Sequence, residues 1–116
     1  RTDEDIAALE RCLAQAEESL GDYRRFVELD VEFHSLLSRA TGNQVAVIVT
    51  DVLGSVEQQT LLKKMLTISA EDRRALARRI LERHREILSA IRRQDADSAR
   101  QAMREHTRAA GQDLKV

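Results

Sequence analysis

Proline is absent from all 116 residues, and apolar side chains recur every three or four positions from one end of the chain to the other. A chain with no proline has nothing that must break a helix, and apolar residues at that interval line one helical face. Leu, Ala, Arg and Glu predominate, a bias that favours helix nearly throughout. The expected fold is therefore all-α, an antiparallel helical bundle. At this length it forms one domain with a single core.

Local punctuation divides the chain into about five helices. The first is expected from Asp3 to Ser19, capped by Thr2, with Ile6, Leu9, Leu13, Ala16 and Leu20 as its apolar stripe and Gly21 as its stop. Asp22 caps a second, about Tyr23 to Thr41, which buries Phe26, Leu29, Phe33, Leu36, Leu37 and Ala40 and ends at Gly42. Asn43 opens a third, about Gln44 to Leu66, carrying Val45, Ile48, Val49, Val52, Leu53 and Val56. Its β-branched start also resembles a strand, but the spacing is helical and no partner strand exists elsewhere. Ser69-Ala70-Glu71-Asp72 begins a fourth that reaches about Arg93, with Leu76, Ile80, Ile87, Leu88 and Ile91 inward. Asp95 caps a fifth, about Ala96 to Leu114, with Ala99, Met103, Ala110 and Leu114 inward. Connections this short make neighbouring helices antiparallel.

Several function classes are disfavoured. The formal net charge is −1 although 34% of residues are charged, and no basic stripe stands out that would follow a phosphate backbone. No apolar run approaches the ~20 residues of a membrane span, and the first residues lack the apolar centre of a secretory signal. The single cysteine, Cys12, has no internal partner, which agrees with a reducing compartment. A soluble cytoplasmic protein with no membrane association is expected. The chain begins with Arg, which suggests a piece of a longer protein.

The three histidines carry the chemistry. His34 follows Asp30 by four residues, so the two share one helix face. His84 interrupts the seam of Ile80, Ile87 and Ile91, and His106 interrupts that of Met103 and Ala110. With a turn near Gln94-Asp95, His84 stands about as far before it as His106 stands after it, so an antiparallel pair sets both imidazoles at one depth. Asp30, His34, His84 and His106 form a candidate metal-ligand set suited to Zn²⁺, Ni²⁺, Co²⁺, Mn²⁺ or Fe²⁺. A seam covers roughly a third of a helix, so three histidines fall on seams by chance about 4% of the time. Core histidines hydrogen-bonded to Asp30 would give the same pattern without a metal. Glu32 and Glu86 fall on other faces, which disfavours metal-assisted hydrolysis for want of a general base.

Four motifs in order resemble a known family. Asp30-Val31-Glu32-Phe33-His34 with Ala40-Thr41-Gly42-Asn43, the later His84 to Ile91 segment, and Asp95, Ala99 and Met103-Arg104-Glu105-His106 are similar to the FCD domain. This is the effector-binding C-terminal domain of FadR-type GntR transcription regulators. The resemblance spans almost the whole chain. It implies a divalent metal on Asp30, His34, His84 and His106, and a small carboxylate effector that coordinates the metal. It also implies homodimers, no enzymatic activity, and contact with DNA only through a separate winged-helix N-terminal domain. That winged helix and the family's first effector-domain helix are expected to be missing from residues 1–116. Thr50, Ser55 and Gln59 on the third helix are candidate effector-pocket residues, with Gly54 leaving room beside them; the alternative for these three is a solvated face. The rival readings are a helical-bundle metalloenzyme, a histidine phosphotransfer domain with an exposed His84, and an interaction module with satisfied core histidines.

Overall fold

The computed structural model describes residues 3–40, 44–93 and 96–113. Five helices follow one another: α1 (Asp3–Glu18), α2 (Tyr23–Ala40), α3 (Gln44–Leu66), α4 (Ala70–Arg92) and α5 (Ala96–Asp113). Among the described residues there is no strand, so the helical reading of the β-branched start of α3 holds. Thr2, Thr41, Gly42, Asn43, Asp95 and Leu114, expected at helix ends, lie outside the described residues, as do the side chains of Val45, Val49, Val52, Leu53 and Ala99. No helix among those described is long and apolar enough to cross a membrane.

The helix ends show local chemistry at work. Three acidic residues, Asp3, Glu4 and Asp5, occupy the first turn of α1, where the helix dipole favours negative charge. α1 stops at Glu18, ahead of Gly21, because Ser19 turns its hydroxyl back onto the Gln15 carbonyl (2.9 Å) and its backbone closes a turn on Ala16. Asp22 caps α2 as expected, its carboxylate accepting from Arg25 N at 3.2 Å. Ser69 caps α4 with extended backbone (φ −66°, ψ 161°) and accepts from Asp72 N at 3.1 Å. The C-terminus of α3 is closed from outside: Arg73 donates to the carbonyls of Met65 (3.0 Å) and Ile68 (3.4 Å) while lying 5.0 Å over the Tyr23 ring. Arg73 thus clamps a helix end, whereas Arg92 pairs with Glu10 on the surface.

Contacts run in opposite senses along α2 and α3 and along α1 and α4, so these pairs are antiparallel. On α2 and α3, Ser35 bonds Asp51 and Ser38 bonds Thr50, while Val31, earlier in α2, faces Gly54, later in α3. On α1 and α4, Glu10 meets Arg92 and Glu17 meets Arg85. α1, α2 and α4 make the centre, with α3 lying on α2 and α5 on α4. The core is Leu9, Cys12, Leu13 and Ala16 against Phe26, Val27, Leu29, Phe33 and Leu37, closed by Leu76, Ala77, Ile80, Leu81, Ile87 and Leu88. Leu36, Ile91 and Met103 are only partly buried.

The expected seam of α3 is the one that needs correction. Ile48 and Val56 are 64% and 62% exposed, while Gly54, Leu61 and Met65 are buried. The helix is apolar on most of its circumference, so periodicity leaves its rotation undetermined. Gly54 fixes it: a Cβ there would stand 3.2 Å from Val31 Cγ1, so the glycine sits at the closest approach of α2 and α3. The row Gly54, Glu57, Leu61 and Met65 then follows α2.

Candidate metal centre

Asp30 and His34 reach inward from one face of α2, His84 from α4 and His106 from α5. One ligand atom from each lies within 4.8 Å of all the others. His106 Nε2 stands 3.1 Å from His34 Nε2 and 3.3 Å from His84 Nε2. Asp30 Oδ1 stands 3.1 Å from His84 Nε2 and 3.7 Å from His34 Nε2. His84 and His106 are 2% and 5% exposed, so neither faces bulk water. All four residues predicted from the sequence are brought together, and the matching depth of His84 and His106 is realised. A phosphotransfer histidine must be exposed, and buried His84 does not meet that requirement.

The rings are held by their faces. His84 stacks on Phe33, 4.3 Å between centroids and 12° from parallel, and Phe33 itself is 1% exposed. His34 and His106 stack at 5.0 Å, and His84 meets both edge-on. This stacking turns three Nε2 atoms toward one point. A neutral imidazole nitrogen either donates or accepts, never both. Hydrogen bonding among these rings therefore leaves polar atoms unused, and two such atoms are present: Asp30 Oδ1, buried near His84 without an aligned donor, and His106 Nδ1. A cation at the common point would use the lone pair of every Nε2 and of Asp30 Oδ1 at once. With metal–nitrogen bonds of about 2.0–2.1 Å, adjoining ligands stand about 3 Å apart, the spacing these nitrogens already have. The donor set fits a borderline divalent metal.

The electrostatics agree. Burial lowers the proton affinity of His106, and the neighbouring His84 and His34 lower it further, to a pKa of about 3. Burial likewise lowers His34, against the opposing charge of Asp30. Burial acts to raise Asp30, yet its contact with His84 and the surrounding imidazoles outweigh this and hold it below its ordinary value. A neutral His34 and His106 beside an ionised Asp30 are the protonation states that metal ligation requires of them.

A cavity opens beside the cluster. Asp30 and His34 from α2, Glu57 and Leu61 from α3, Ile80 and Arg83 from α4, and His106 and Ala110 from α5 form its wall, two residues a turn apart from each helix. Its volume is about 30 Å³, and it is open on one side to solvent. Thr50, Ser55 and Gln59 are not part of this wall. Thr50 shares a 2.8 Å hydrogen bond with Ser38, and Ser55 and Gln59 are exposed. The same rotation of α3 that exposes Ile48 turns these residues away and brings Glu57 in. Glu57, Leu61 and Arg83 are the wall residues that sequence reasoning missed. The i,i+4 pair Glu57 and Leu61, phased from Gly54, is the signal that could have found the first. Glu32 and Glu86 are exposed, as their helical phase implied.

Comparison with known proteins agrees with the motifs. The model of the FCD domain matches residues 1–109. The chain is 33% identical over 105 residues to the HTH-type transcriptional repressor NanR of Edwardsiella tarda (strain FL6-60), a match covering 90% of this chain and 39% of that protein. No solved structure matches. The chain thus spans about two fifths of its relative's length, and the family match covers four helices and most of the fifth. With its motifs, its helical order and its inward Asp/His set all in place, the chain belongs to the FCD domain family.

Proposed function

We propose that this chain is the ligand-sensing part of a transcription regulator, holding a divalent metal on Asp30, His34, His84 and His106 and a small carboxylate effector beside it. The observation that carries the reading is the convergence of three Nε2 atoms and one carboxylate oxygen within 4.8 Å, next to an open hollow. Bound there, the metal supplies a Lewis-acidic site for a carboxylate oxygen. The protein's own residues do the rest. Phe33 fixes the ring of His84, burial favours the unprotonated forms of His34 and His106, and Leu61, Ile80 and Ala110 give the hollow an apolar wall. The relative's description as a repressor supports placing DNA binding in a part of the protein beyond these residues. Wall residues from four helices support a linkage mechanism, in which the effector's differential affinity for two helix arrangements changes how a paired DNA-binding domain is presented. Homodimers and a cytoplasmic location complete the reading.

The test is metal content and its consequence. Purified without chelator, the protein should hold about one divalent ion per chain, and His84→Ala and His106→Ala should each abolish it. Acetate should raise the Tm of the zinc-loaded chain and leave the chelator-treated chain unmoved. Unchanged metal in both variants removes the ligand assignment. An acetate effect that survives chelation removes the metal from the effector site.

A further inference from the structure

Antiparallel packing sets Glu57 of α3 beside the Asp/His set. Val31 of α2 faces Gly54 of α3, and Ser35 bonds Asp51, so each step forward along α2 is a step back along α3. Glu57, three residues beyond Gly54, therefore stands level with Glu28, three before Val31. Asp30 is two residues ahead of that level, about 3 Å along the axis at a rise of ~1.5 Å per residue. Side chains on a helix lean toward its N-terminus, and on α3 that direction runs from Glu57 toward the level of Asp30 and His34. The two helices are at their closest beside this point, where Gly54 meets Val31. Glu57 accordingly lines the same hollow as Asp30, His34 and His106, a space of about 30 Å³ with room for about two water molecules. The residue is otherwise exposed, so its carboxylate can turn on the side-chain bonds.

Charge gives that carboxylate a task. A divalent ion on three neutral imidazoles and Asp30 keeps a net positive charge, and Arg83 on the wall adds to it. Buried charge without a counterpart is costly. Of the residues lining the hollow, Glu57 is the one carboxylate besides Asp30. Without a cation the two repel: burial and then the charge of Asp30 raise the proton affinity of Glu57, while His84 lowers it. A cation between the two carboxylates turns that repulsion into a shared attraction.

We infer that Glu57 is a displaceable ligand built into the protein, which occupies the open side of the bound metal and yields it to an entering carboxylate. This role rests on the metal reading above and adds a regulatory element to it. Asp30 and the histidines belong to α2, α4 and α5, so Glu57 is the contact that ties α3 to the centre. An effector that takes its place releases α3 from the metal, a differential contact of the kind a two-state bundle needs.

The probes are zinc, cobalt and acetate, offered to the parent chain, Glu57→Gln and Glu57→Ala. Zinc should bind about tenfold more weakly to either variant, read by competition with a chromophoric chelator. Acetate should bind the zinc-loaded variants about tenfold more tightly than the zinc-loaded parent, because no tethered carboxylate competes with it. The visible spectrum of Co²⁺-loaded Glu57→Gln should differ from the parent's, and added acetate should bring the variant's zinc affinity back toward the parent's. Equal zinc affinity in the parent and both variants overturns the inference and leaves the metal reading standing. So does acetate binding that is no tighter in the variants. Weaker zinc with an unchanged cobalt spectrum overturns it as well, since Glu57 would then act only by its charge at a distance. A parent chain that binds neither zinc nor cobalt overturns both readings.

Discussion

The Phe33 ring against His84 shows how one apolar side chain can set the chemistry of a polar one. Stacked at 4.3 Å and fully inside the core, Phe33 permits His84 a single ring plane, and that plane aims Nε2 at Asp30 and His106. Phe33→Leu keeps an apolar filling but removes the flat face. It should lower the Tm and weaken zinc binding by about tenfold or more, as losses of ligand-orienting contacts do. A competition titration with a chromophoric chelator reads the change, and zinc affinity equal to the parent's would deny Phe33 this role. Protons offer a second test. His34 and His106 have lower pKa values folded than unfolded, so the native state binds fewer protons below the ordinary 6.5. Stability of the metal-free chain should therefore decline as pH drops from about 6.5 toward about 3, with Asp30, also lowered, adding to the loss at the acid end. Thermal melts across that range check it; a flat profile would mean the imidazoles are already charged in the fold. At this scale the ligand set was legible because each histidine breaks an aliphatic series. Glu57 and Arg83 were not, because a charged residue at a half-open position reads like any solvated face.

Helix rotation decides which residues share a site. α2 and α4 declare theirs through one-sided apolar stripes, Phe26 to Leu37 and Leu76 to Leu88. α3 is apolar around most of its surface, so its phase came from a glycine that composition alone does not interpret. Gly54→Val should test that contact. The larger side chain meets Val31 and forces α3 outward, costing about 1–3 kcal/mol in chemical denaturation and displacing Glu57 from the hollow. Stability matching the parent would show that the two helices have slack. Arg73 marks the same limit of sequence reading at an element's end. Two acidic residues, Glu71 and Asp72, precede it, yet it bonds the Met65 carbonyl in the last turn of α3 and the Ile68 carbonyl just beyond that helix. Arg73→Ala should cost about 1–2 kcal/mol through the orphaned α3 terminus and the lost contact with Tyr23. An unchanged denaturation midpoint would show that water serves those carbonyls equally well.

Across the whole molecule, stability and sensing draw on different parts. α1 supplies Leu9, Cys12, Leu13 and Ala16 to the core, and its surface ion pairs with Arg85 and Arg92 contribute little in water. It gives nothing to the ligand set, which belongs to α2, α4 and α5. A bundle stitched at one level by three of its five rods is a buckle rather than a brace. Fastening it should slow amide exchange along those three rods near the stitch and leave the first rod exchanging as before.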